Sequence, residues 1–87
     1  MIPMLKYAVI KDTKYIKYSY LMIGILTNKS SILAADGFNT DVTVGKRVIF
    51  KEDDAIIFDD CVLVLFDNIV AISDEKDKFE LENIKQI

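Results

Sequence analysis

An all-β fold is what this chain predicts, on three observations. Short segments rich in Val, Ile, Phe and Tyr recur along it: Met4–Ile10, Tyr18–Thr27, Arg47–Lys51, Ile56–Phe58, Cys61–Phe66 and Ile69–Ile72. Glycines and acidic pairs separate several of them, as turns separate strands. Where helix competes with strand, in Val62–Phe66, β-branched content and flanking turns favour strand.

Each element has its own reason. Pro3 stands where a first strand begins, ahead of the apolar Met4–Ile10. Lys11–Lys17 is polar and lysine-rich, the natural place for an exposed loop before Tyr18–Thr27. A second reading stays open there. Tyr15, Ile16, Tyr18 and Tyr20 alternate with Lys or Ser closely enough to make Lys11–Thr27 one long hairpin arm. Asp36-Gly37 and Gly45 mark turns, and Arg47–Lys51 follows as a short strand. Glu52-Asp53-Asp54 resists burial and reads as a solvated loop. Ile56–Phe58 and Cys61–Phe66 flank Asp59-Asp60 as a tight hairpin that lacks the usual glycine. Val62–Phe66 is apolar on both faces, so cover on both sides is expected. Asp67-Asn68 then turns the chain into Ile69–Ile72. From Ser73 the pattern changes. Ser73 with Asp74 and Glu75 could cap a helix carrying Leu81, Ile84 and Ile87 on one face, and helix is the expectation. Phe79 and Leu81 alternating in an edge strand is the other reading.

At 87 residues there is room for one domain, and a domain of this size is only marginally able to stabilise itself. Yet 52% of the residues are hydrophobic, more than a small monomer buries with ease. A subunit interface is the usual outlet, so self-association is expected. The net charge of −3 hides an asymmetry: residues 1–35 carry five Lys against Asp12 alone, while residues 36–87 carry six basic and thirteen acidic residues. The basic half has no Arg, the forked donor that reads phosphate and guanine, which argues against nucleic acid. Cys61, the one cysteine, excludes an internal disulfide and fits a reducing compartment, and it reads as a small buried hydrophobe. No secretory signal is read, and neither Leu21–Leu26 nor Cys61–Ile72 approaches a membrane helix. A cytoplasmic location without a membrane partner is expected.

The residues for catalysis are missing. There is no His, and one Cys cannot build a thiolate zinc site. Gly24, Gly37 and Gly45 are isolated and form no phosphate loop. The acidic stretches lack calcium-loop spacing, and neighbouring acids on a strand point to opposite faces. Neither an enzyme, a metal site nor a cofactor is expected.

Three segments, in order, resemble the ten-kilodalton co-chaperonins, the GroES-like family. Asp41-Val42-Thr43-Val44-Gly45-Lys46-Arg47-Val48-Ile49-Phe50 is similar to the family's V-x-V-G turn leading into a V-I-F strand. Val62–Leu65 with Ile69-Val70-Ala71-Ile72 looks like its closing hairpin, which ends in D-I-L-A-I or a variant. Pro3 with Val9-Ile10-Lys11 stands against its opening P-L-x-D-R-V-x-V-K. The segments touch about a third of the chain. The first is moderately specific, and the shared order carries more weight than any one of them.

The resemblance implies a small GroES-like β-barrel over residues 1–73, with an irregular or short helical extension over 74–87. It implies a homo-oligomer, a heptameric ring that caps a sixty-kilodalton-type double-ring chaperonin and assists ATP-dependent folding. First and last strands of neighbouring subunits would meet through Leu5, Val9 and Ile10 on one side and Ile69, Val70 and Ile72 on the other. Lys29–Thr40 would be the roof loop. The family's mobile loop, which docks on the chaperonin by an apolar tripeptide, would shrink to Lys11–Tyr20, with Tyr15-Ile16 as anchor and Tyr18 nearby. Lys6 and Tyr7 replace the opening Asp and Arg, Lys46 replaces the Asp after the turn glycine, and Glu52–Ala55 is a shortened loop. Such divergence fits a virus, which would place the chain in its host's cytoplasm, or a reduced genome. Two other classes stand beside this one: a ring-forming structural or assembly protein that binds no chaperonin, and a nucleic-acid-binding barrel of OB or SH3 type using Lys11–Tyr20.

Overall fold

The computed structural model describes residues 1–31 and 41–83. Most of the Lys29–Thr40 segment, the Asp36-Gly37 turn and the positions of Ile84 and Ile87 lie outside the described residues. The described chain is mostly antiparallel β, with a 3-10 turn at Phe66–Asn68. Its strands are β1 (Tyr7–Ile16), β2 (Leu21–Lys29), β3 (Arg47–Lys51), β4 (Ile56–Ile57), β5 (Val62–Leu65), β6 (Ile69–Ser73) and β7 (Leu81–Asn83). They form one sheet in the order β4-β5-β1-β2-β3-β6, with β7 added to β1.

The expected segments at Arg47–Lys51 and Ile69–Ile72, and the hairpin around Asp59-Asp60, are all present. In that hairpin Ile56 pairs with Leu63 and Ile57 with Val62, and the Phe58 N–H donates to the Cys61 carbonyl at 2.9 Å. Val62 and Val64 are fully buried, whereas Leu63 and Leu65 are half-buried. One face of β5 is therefore core, and the other is only partly covered.

Two expectations are corrected. Lys11–Ile16 is strand, not loop: β1 starts at Tyr7, later than the expected Met4, and runs on through the lysines, while the single arm over Lys11–Thr27 is broken by a turn at Lys17–Tyr20 before β2 begins at Leu21. Lysine stems tolerate a strand whose outward face is wet. The expected helix from Ser73 is absent from the described part of the tail. Ser73 is instead the buried end of β6, and the tail turns back so that Leu81–Asn83 pairs with Ile16–Lys14 of β1. Ladder hydrogen bonds to an already formed strand outweigh the weak preference of an isolated helical stretch.

β1 can serve two sets of neighbours because it bends. Its register slips between Lys11 and Lys14, and Asp12 takes the left-handed conformation at φ 55, a region Asp tolerates better than most residues. The bulge folds onto Gly24 of β2. A Cβ there would lie 2.5 Å from Ile10 Cγ2 and 2.8 Å from both the Lys11 carbonyl oxygen and Thr13 Cγ2, so only glycine fits. Before the bend β1 pairs with β5, from Tyr7↔Leu65 to Ile10↔Val62; after it, β1 pairs with β7.

The core is built on four strands. Ala8 and Ile10 of β1, Met22 and Leu26 of β2, Val48 and Phe50 of β3, and Val62 and Val64 of β5 form one buried cluster with Val42 and Phe66. These four strands are adjacent in the sheet, in the order β5-β1-β2-β3. Gly45, at φ 96, makes the turn into β3, and its N–H donates to the Leu26 carbonyl at 2.8 Å.

Candidate functional site

Exposed apolar side chains gather in a few places. One is the tip of the β1–β2 hairpin, where Tyr18 is 94% and Tyr20 92% exposed. The tip, Lys17–Tyr20, is held from within. Ser19 Oγ donates to the Ile16 carbonyl at 2.8 Å and accepts the Leu21 N–H at 3.1 Å. Tyr18 sits at φ 64, an outlier for a bulky side chain. Strain of this kind costs about 1–3 kcal/mol and persists where the surroundings over-determine it, often at functional sites. Beside the tip, Tyr18, Ser19, Tyr20, Leu21, Lys51 and Asp53 line an open recess of about 540 Å³.

The expected anchor pair is placed differently. Tyr15 is half-buried against the core, and its hydroxyl donates to Glu52 Oε1 at 2.8 Å. That hydrogen bond to a carboxylate, with burial and the negative charges of Glu52 and Glu82, raises the phenol above its ordinary pKa. Ile16 is half-buried and pairs with Leu81. Both residues are engaged in their own sheet. Of the three expected docking residues, Tyr18 alone projects freely. Tyr20, not among those three, is displayed beside it, in a Tyr-Ser-Tyr run between two strands.

The second place is the set of segments expected at a subunit contact. Val9 and Ile10 are not available for one: they are 2% and 0% exposed, because β1 lies between β2 and β5. Leu5 is 70% exposed and belongs to a lead-in segment with exposed Met1, Ile2 and Met4 around a buried Pro3. Asn28 Nδ2 ties this segment down by donating to the Met1 carbonyl at 3.3 Å. On β6, Ile69 packs against the core while Val70 and Ile72, two apart and so on one face, remain 47% and 38% exposed. Among the described residues β6 has β3 as its one strand partner, so its other edge is open. The third place is β4 and the residue after it, where Ile56, Ile57 and Phe58 are all exposed beside β5, the one partner of β4 among the described residues.

Cys61 is buried, and burial with a hydrogen bond to Asp60 pushes its thiol pKa up, the environment of an unreactive cysteine. Glu52–Asp54 is an exposed loop, pinned where Tyr15 meets Glu52 and where Asn68 Nδ2 donates to the Asp53 carbonyl at 2.7 Å. Among the described residues no three His, Cys, Asp or Glu side chains are grouped to hold a metal ion, and no helix is long and apolar enough to cross a membrane.

Compared with protein-family models, with curated proteins and with solved structures, the chain finds no match in any of the three.

Proposed function

We propose that this chain is a self-associating β subunit of co-chaperonin type, a GroES-like barrel that builds a closed ring and presents its hairpin tips to a larger ring-shaped chaperonin. The observation that carries the reading is where the exposed apolar residues lie. Val70 and Ile72 share a face of β6, whose outer edge is open among the described residues, and Ile2, Met4 and Leu5 line the lead-in segment. An open apolar edge is a liability unless another chain covers it. The two surfaces differ, so their contact is heterologous and closes into a ring if the rotation permits. The sheet itself supports the resemblance. Arg47–Phe50, from the V-G-x-x-V-I-F element, is hydrogen-bonded to Ile69–Ser73, from the closing one, and Tyr7–Ile10 pairs with Val62–Leu65.

Docking then rests on Tyr18 and Tyr20. Burying one large apolar side chain is worth about 1.5–3 kcal/mol, too little for one tip alone. Several tips on one ring bind together through effective concentration, and a modest shape change in the partner releases them. A built tip spares the ordering cost of a loose loop, about 1–2 kcal/mol per residue.

The test is native mass measurement on the wild type and on Val70→Lys. A ring-sized wild type and a Val70→Lys chain that falls to single subunits, still folded by circular dichroism, support the reading. A wild type that stays a single chain at high concentration sinks it. Capture by a double-ring chaperonin in the presence of ATP, abolished by Tyr18→Ser with Tyr20→Ser, separates capping from the second reading, an assembly protein that forms the ring and binds no chaperonin. The short, closed hairpin favours that second reading, since it lacks a long flexible arm.

A further inference from the structure

The tail beyond β6 is tied to the hairpin at several points. Its turn is built by two aspartates. Asp77 Oδ2 accepts the Asp74 N–H at 3.0 Å and Ser73 Oγ at 3.3 Å, and Asp74 Oδ1 accepts the Lys76 N–H at 2.7 Å. This reverses the chain toward its own β3 and β1. Phe79 lies 5.8 Å from the Arg47 guanidinium, within cation–π range. Leu81 shares a recess of about 220 Å³ with Ile23, Ile25 and Arg47. Strand β7 then pairs Leu81 with Ile16, Glu82 with Tyr15 and Asn83 with Lys14, and the Lys17 N–H donates to the Glu80 carbonyl at 2.8 Å. Lys17 is the first residue of the tip. Without β7 the distal half of β1 would be an edge held by β2 alone.

We infer that residues 74–83 are a strap acting within the chain, seated on β3 and β1, that holds the Lys17–Tyr20 tip in its binding form. A three-residue strand with few enclosed side chains belongs to the low-stability end of a structure, so it opens before the sheet does. Strap opening therefore loosens the tip while the core stays folded, which makes tip docking adjustable by anything that grips or displaces the tail. This goes one step past the docking reading and rests on it for its consequence; the strap itself rests on the contacts above.

Hydrogen bonds in an antiparallel ladder fall on alternate pairs. With Lys17 bonded to Glu80, the next bonded pair is Tyr15 and Glu82. Glu82→Pro removes that amide donor, and Glu82→Ala keeps it. Amide hydrogen exchange is measured on both variants and on the wild type, all as full chains. Glu82→Pro is expected to speed exchange at Lys17 about five- to thirtyfold, the factor that accompanies loss of one or two hydrogen bonds. Exchange at Val48, Phe50 and Val64 stays at the wild-type rate, as does Lys17 in Glu82→Ala. Unchanged exchange at Lys17 in Glu82→Pro overturns the strap, and so does an equal acceleration of the core amides. Chaperonin capture run on the same proteins keeps the two ideas apart. Capture by wild type and its loss in Glu82→Pro supports control of docking; equal capture by both overturns it. A wild type that is never captured counts against docking, and the exchange result still decides the strap.

Discussion

The two halves of β1 share an extended backbone and differ in what lies beside them. Tyr7–Ile10 runs between β2 and β5, and Ala8, Val9 and Ile10 are all but fully enclosed. Lys14–Ile16 runs between β2 and β7, with Tyr15 and Ile16 half-buried and Lys14 exposed. The bulge at Asp12, folded onto Gly24, marks the change. One strand can thus build the core at one end and carry a projecting tip at the other, provided a glycine in its neighbour lets it bend. Stability is expected to concentrate in the proximal half and adjustable behaviour in the distal half.

The largest effect should come from the proximal half. Ile10→Ala empties a fully buried site and is expected to lower unfolding free energy by about 2–5 kcal/mol in denaturant titration. A loss no larger than that of a distal substitution would erase the distinction.

In the distal half, Tyr15→Phe removes the hydroxyl bonded to Glu52 and should cost about 0.5–1.5 kcal/mol by the same measurement. The bond also predicts a pH dependence. The folded phenol has its pKa raised above the ordinary 10.0, so the unfolded chain releases this proton first. Tyr15's contribution is complete below that ordinary value and is lost as pH rises through the folded one. The wild type should therefore lose more stability than Tyr15→Phe on going from neutral pH to above pH 10. Equal losses would mean that the pair is silent in solution.

The smallest effect is expected at the tip, and with the opposite sign. Tyr18 occupies a left-handed conformation that glycine adopts without strain, so Tyr18→Gly should leave stability unchanged or raise it by up to about 1 kcal/mol. A clear loss would show that Tyr18 supports the fold and is not displayed for contact.

Much of this was legible in the residues. The V-G-K-R-V-I-F run named β3 to the residue, and Asp59-Asp60 between aliphatic segments named the β4–β5 hairpin, because turn chemistry and β-branched runs act locally. Cys61, opening an aliphatic run, read as buried and is buried. The candidate site was legible only in part. Tyr18 and Tyr15 look alike in sequence, both flanked by lysine, yet one is displayed and the other bonded to Glu52, 37 positions away. No local pattern holds that partner.

By itself the sequence determined the β class and the punctuation of the strands, since both follow from side-chain type and short spacing. Only the tertiary structure decided that Lys11–Ile16 is strand, that Val9 and Ile10 belong to the chain's own core, and that the tail returns as β7. Each depends on which strand lies beside which, a matter of pairing across long separations, and backbone hydrogen bonds carry no side-chain signature of their partner.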